Sequence, residues 1–128
     1  MRGSVDDRSG FKARRGRMDE MKINILGTEY TVEESDETQD IKLDGKDGYC
    51  DTSVKKCVVE RFLNKSVHNV EDIEMKKRMI LRHELMHAIF YESGLDNQSF
   101  AGDETLVDWI AIQFPKIAKI FLEAGCAE

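Results

Sequence analysis

The run His83-Glu84-Leu85-Met86-His87 sets two imidazoles four residues apart with a carboxylate between them. On an α-helix, residues four apart are separated by about 400°, only about 40° from eclipsed. His83 and His87 therefore project to one side and can take two corners of a zinc tetrahedron. With His83 at the origin of the wheel, Glu84 falls about 100° round, so it flanks the metal without pointing at it. That is the placement for a general base acting on a water at the metal. Coincidence can also put two histidines four apart beside a glutamate. Against it, the flanking Leu81, Leu85, Met86, Ile89 and Phe90 are apolar, so the histidines would sit in a buried helix, where polar groups need partners such as a metal.

A catalytic zinc takes three protein ligands and keeps a fourth position open. His68 precedes the helix and fits no standard ligand spacing. Glu104, at the start of the last helix, is the better third ligand, with Asp103 its nearest competitor. Asp108 lies one turn beyond Glu104 on the same face, where it can accept a hydrogen bond from the outer ring nitrogen of a ligating histidine and fix its tautomer. The plainer reading makes Asp103, Glu104 and Asp108 the acidic first turn of a helix. Tyr91 falls about 80° round the wheel from His83, so its hydroxyl could stabilise an oxyanion; as an alternative it is a core tyrosine with a surface-reaching hydroxyl. His68 is a candidate for the same oxyanion duty. Trp109, Ile110, Phe114 and the methionines Met75, Met79 and Met86 are most simply core.

The run from Ile80 to Ile89 matches the zinc-peptidase signature, and Glu104 with Asp108 resembles the helical ExxxD that follows HExxH in gluzincins. The compact layout is similar to the ImmA/IrrE-type and related small phage-encoded metallopeptidases. In these, strands precede the HExxH helix and a helix reading roughly ExxAxxFA follows it. The segment Glu104–Ala111 matches that spacing, with Val107 and Ile110 at apolar positions. The likeness covers about residues 22–120. It implies a small twisted sheet over the active-site helix, an edge strand that aligns the substrate backbone beside the zinc, and a phage or mobile-element regulatory role. Lys56–Arg61 is the strand nominated for that edge, with an ordinary inner strand as the alternative.

The elements that must position these groups are readable from periodicity. Residues 22–34 read as strand, turn and strand about Gly27, and Tyr49–Asp51 with Lys56–Phe62 as a second hairpin. Asp44-Gly45 and Asp47-Gly48 are turn signals. A helix is expected from an N-cap at Asn69, with Glu71, Asp72 and Glu74 in its first turn, to about Glu92, stopping at Gly94. Its segment from Met79 to Tyr91 is apolar almost all round and is expected to be buried. A second helix is expected from near Asp103 to about Gly125, kinked or divided by Pro115. Strands first and helices after give an α+β domain: a small twisted, antiparallel-rich sheet packed on the HExxH helix, followed by a second, Pro-kinked helix.

The 128 residues suffice for one domain over residues 21–128, after a disordered or expression-derived leader at 1–20. Hydrophobic residues make up 41% and charged residues 34% of the chain, an ordinary globular balance. Net charge is -6, although Arg2, Arg8, Lys12, Arg14, Arg15 and Arg17 stand against only Asp6 and Asp7 in the leader. The rest is accordingly more acidic than the whole, which argues against a nucleic-acid partner. No apolar run approaches a membrane span, and no apolar signal region opens the chain, so the cytoplasm is the expected location. Three cysteines, Cys50, Cys57 and Cys126, with no CxxC spacing, fit free thiols better than a disulfide framework; a Cys50–Cys57 bridge across the second hairpin is the alternative.

These readings converge on a zinc-dependent peptidase acting on a peptide or protein substrate. Zinc is held by His83, His87 and Glu104, while Glu84 takes a proton from the attacking water and returns it to the leaving amine. The rival from another class is a non-catalytic module in which zinc staples a small domain that recruits a partner.

Overall fold

The computed structural model describes residues 20–62 and 72–128. The leader, His68, Asn69 and Glu71 therefore lie outside the described residues, apart from Glu20, which already belongs to the first strand.

The domain is α+β: a four-stranded mixed sheet and two helices. Strands β1 (Glu20–Ile25) and β2 (Thr28–Ser35) form an antiparallel hairpin in which Ile25 faces Thr28. Its two-residue turn, Leu26-Gly27, has positive φ at both positions, the combination that matches strand twist. The chain then passes through a short 3-10 turn (Ile41–Leu43) to β3 (Gly48–Asp51) and β4 (Lys56–Glu60), a second antiparallel hairpin.

The sheet order is β1-β2-β4-β3, because β4 runs parallel to β2 and inserts beside it. This corrects the nomination of Lys56–Arg61 as a sheet edge. Its core, Cys57, Val58 and Val59, is fully buried, as an inner strand requires. The edge strand beside the helices is β3.

Helix α1 (Ile73–Glu92) begins later than expected: Asp72 is its N-cap, and its side chain accepts from the Met75 amide. It lies across the sheet, where Ala88 joins Ile25, Tyr30, Val32 and Cys57, with Leu81, Leu85 and Ile89 packed around them. Lys77 on α1 reaches Glu34 on β2 at 3.1 Å. At the far end Glu92 accepts from Thr28, Tyr30 and Lys55, at 2.9, 2.8 and 3.1 Å. From Met79 to Phe90 every residue of the helix is buried or half-buried, with Ile80, Glu84, Ala88 and Phe90 the most deeply placed, so the expected burial holds except at Tyr91, which is 42% exposed.

Helix α2 (Glu104–Ala124) packs on the other side of α1, where Val107 and Ala101 meet Phe90, with Met86 and Ile110 around them. Pro115 lies inside α2 without dividing it. Proline has no amide hydrogen, so the carbonyl four residues earlier, that of Ala111, loses its helical donor. Arg82 of α1 supplies the replacement, with Nε 2.6 Å from that oxygen. Trp109 and Phe114 are half exposed, at 53% and 51%, and Met75 is 56% exposed, so these three are not core. Among the described residues, no helix is long and apolar enough to cross a membrane.

Candidate metal centre

Helix α1 carries His83, Glu84 and His87, and the antiparallel approach of α2 brings its first turns alongside them. Asp103 caps α2, accepting from the amides of Thr105 and Leu106, which occupies the competitor for the third ligand position. Glu104, the next residue, reaches inward instead. Its Oε1 lies 2.9 Å from His83 Nε2 and its Oε2 3.4 Å from His87 Nε2. The two imidazole Nε2 atoms are 3.3 Å apart. On the far side of the first ring, His83 Nδ1 meets Asp108 Oδ1 at 2.8 Å.

These distances permit a test of fit. A tetrahedral ion with nitrogen and oxygen ligands at roughly 2.0–2.1 Å separates neighbouring ligand atoms by about 3.3 Å. The separation of the two imidazole nitrogens, 3.3 Å, matches that value, and the Glu104 carboxylate meets each ring through a different oxygen, at 2.9 and 3.4 Å. Asp108 is an acceptor, so a neutral His83 places its ring hydrogen on Nδ1 and turns Nε2 toward the carboxylate of Glu104. Donor atoms from three residues thus gather in one place, where a cation can be held. Among the described residues, this group of two histidines and one glutamate has all its ligand atoms within 4.8 Å of one another, and the donor set suits a metal ion.

Glu84 lies beside this group and is itself only 8% exposed. Burial pushes its carboxyl up, to about 7; His83 and Lys46 act against the rise, while Glu104 and Asp108 reinforce it. A carboxylate tuned near neutrality is a competent proton acceptor and donor.

A cleft of about 500 Å³ opens onto the group, lined by Gly48, Tyr49 and Cys50 of β3 facing His83, Glu84, His87 and Glu104. A second hollow of about 420 Å³ adjoins it, with Met79, Ile80, Ala111 and Ile112 as its apolar wall and Lys46 and Lys76 among its charged residues. Gly48 sets how closely β3 approaches α1. A Cβ there would lie 2.8 Å from the Val58 carbonyl oxygen and 2.9 Å from Ile80 Cγ2, with Glu84 Cγ at 3.4 Å. Gly48 is therefore a close-approach glycine at the start of a strand, in place of the turn signal read for Asp47-Gly48; Gly45, with φ of 75°, is the turn glycine.

Of the residues nominated from sequence, His83, Glu84, His87, Glu104 and Asp108 come together. Tyr91 does not line either hollow: its ring packs beneath Lys55, whose Nζ is 4.7 Å from the ring centroid. His68 lies outside the described residues. Sequence reasoning missed Lys46, Gly48, Cys50 and Asp96, all on the wall of the cleft. Only Gly48 carried a signal, a second Asp-Gly pair three residues after the first. Comparison with protein-family models, curated proteins and solved structures yields no match.

Proposed function

We propose that this chain is a zinc-dependent peptidase, with His83, His87 and Glu104 as ligands, Glu84 as general base and Asp108 orienting His83. The observation that supports this best is the gathering of two histidines and a glutamate, their ligand atoms within 4.8 Å of one another, next to a buried carboxyl. Three protein donors are the number a hydrolytic zinc uses, whereas structural zinc sites close the fourth position. When bound, zinc supplies the Lewis acidity that acidifies a water molecule and polarises a peptide carbonyl.

The chain's own residues do the rest. Glu84 accepts the proton of the attacking water and passes it to the leaving nitrogen. Asp108 holds His83 in the tautomer that presents Nε2. The outer edge of β3 flanks the cleft, so an extended peptide can add to it as a strand, its scissile bond facing α1. A kink at Pro115 falls beyond Ala111 and leaves the Glu104–Asp108 turn in place. Tyr91 receives no step. The substrate is a peptide or protein, with no nucleic acid or membrane involved, and the setting is the cytoplasm, as a regulatory protease of phage or mobile-element kind.

The test is cleavage of a proteome-derived peptide mixture by the zinc-loaded protein, with new termini read by mass spectrometry. Wild-type protein is expected to cut, and Glu84→Gln to bind one zinc yet cut about 10²- to 10⁴-fold more slowly. Cleavage by Glu84→Gln at the wild-type rate would overturn the general-base assignment. Zinc binding with no cleavage of any peptide would favour the zinc-stapled interaction module instead.

A further inference from the structure

We propose that Cys50 and Cys57 form a redox-active dithiol, a modification site at which a small-molecule disulfide such as glutathione disulfide converts the pair to a cross-strand disulfide. The sheet register places the two residues directly opposite each other on β3 and β4. Glu60 donates its amide to the Asp47 carbonyl at 2.8 Å, which makes that facing pair a hydrogen-bonded one. Facing pairs alternate along an antiparallel ladder. Counting inward by three steps, Cys50 and Cys57 form a non-hydrogen-bonded pair, the class in which Cα atoms approach to about 4.5 Å and side chains lean together. That separation falls inside the range a disulfide spans. The neighbouring Cys50 thiol pushes the Cys57 thiol up, and all three cysteines are free.

The two thiols differ in access, which sets the order of events. Cys57 is fully buried against Ala88 and its Sγ lies 3.7 Å from the carbonyl oxygen of Glu84. Cys50 is partly exposed and lines the cleft. Exchange therefore starts at Cys50, whose thiolate attacks one sulfur of glutathione disulfide and releases one glutathione. Cys57 then attacks Cys50 Sγ and expels the second glutathione, which takes up the proton that Cys57 loses. One disulfide is reduced and one is formed. The adjacent thiol and burial both oppose ionisation of Cys57, and uncatalysed disulfide exchange belongs to the slow range of minutes to hours. The product ties the edge strand β3 to β4 and removes the thiol hydrogen that faces the Glu84 carbonyl, so oxidation is felt beside the candidate centre.

The inference does not depend on the peptidase reading, because the assay follows thiols alone. The full chain carrying Cys126→Ser is incubated under native conditions with glutathione disulfide, free thiols are then capped with N-ethylmaleimide, and intact mass is measured. The expected product is two hydrogens lighter than the reduced chain, with no glutathione retained. Trypsin can cut after Lys55, so the cross-link then joins two otherwise separate peptides. Adding Cys57→Ser should stop the reaction at one glutathione on Cys50. Adding Cys50→Ser should leave Cys57 unreacted over the same period. Retention of glutathione on Cys50 without ring closure, two capped thiols after prolonged exposure, or equal reactivity of Cys57 without Cys50 would each overturn the proposal.

Discussion

Arg82 Nε donates to the Ala111 carbonyl oxygen at 2.6 Å, and Ala111 is the residue whose helical donor would have been the missing amide of Pro115. A defect inside one helix is thus filled from the neighbouring helix, one residue from His83. The contact fixes α2 against α1 at the level where Glu104 and Asp108 must reach the histidines. Ala111 is only 1% exposed, so its carbonyl has little recourse to water. Arg82→Met should cost about 1–3 kcal/mol of stability, the penalty of a buried acceptor left without a donor. Pro115→Ala restores the helical amide, so the same Arg82 change should cost much less in that background. A double-mutant cycle by urea denaturation checks the coupling.

Asp108 is exposed yet sits 2.8 Å from His83 Nδ1. Asp108→Ala should weaken zinc binding about 10- to 100-fold, the usual effect of losing the partner that orients a ligating histidine. Its side chain supports little else, so stability should change by no more than about 0.5 kcal/mol. Competition with a chromogenic chelator, alongside thermal unfolding of the metal-free protein, separates the two effects.

The approach of β3 to α1 predicts that Gly48→Ala destabilises the fold by about 1–3 kcal/mol, the typical cost of overpacking. The new methyl group would press on a backbone oxygen and on Ile80, neither the free end of a flexible chain. Gly102→Ala is the matched control, because a Cβ there meets nothing within 4 Å. Equal midpoints for the two variants in urea would contradict the packing argument.

Glu92 couples pH to stability through the contact between the first hairpin and the end of α1. Hydrogen bonds from Tyr30, Thr28 and Lys55 hold its carboxyl below its ordinary value of 4.5. A carboxylate with a lowered folded-state pKa stabilises the fold above the unfolded value and loses that contribution as pH falls through the folded one. Glu92→Gln should therefore lower the unfolding temperature at pH 7, and the gap to wild type should narrow as pH drops below about 4.5. A gap that stays constant down to strongly acidic pH would refute the assignment.

The legible parts of this chain were those governed by local periodicity. Four-residue spacing put His83 with His87 and Glu104 with Asp108, and the two helices then needed only to lie side by side. Alternation located both hairpins, because each is built from neighbours in sequence. What local pattern lacks is the neighbour of a strand. Parallel pairing of β2 with β4 is a tertiary outcome, and it moved the free edge from Lys56–Arg61 to Gly48–Asp51.

Gly48 misled for a related reason. An Asp-Gly pair reads as a turn, while the need for a missing Cβ came from the Val58 carbonyl on the neighbouring strand and from Ile80 on the helix, both distant in sequence. Trp109 and Phe114 misled differently: an apolar residue on an amphipathic helix reads as core, but α2 offers more apolar surface than α1 covers. Cys50 gave no local sign of its place on the cleft wall. Its pairing with Cys57 was readable as an alternative from the second hairpin, and the register of β3 and β4 sets the two face to face.

The central claim is that His83, His87 and Glu104 hold one zinc ion with a position left open. An anomalous difference map from a zinc-loaded crystal, recorded at the zinc absorption edge, tests it most directly. The account predicts one strong peak within bonding distance of both Nε2 atoms and the Glu104 carboxylate, with the remaining position occupied by solvent. A peak elsewhere, or a fourth protein side chain completing the coordination, would contradict it.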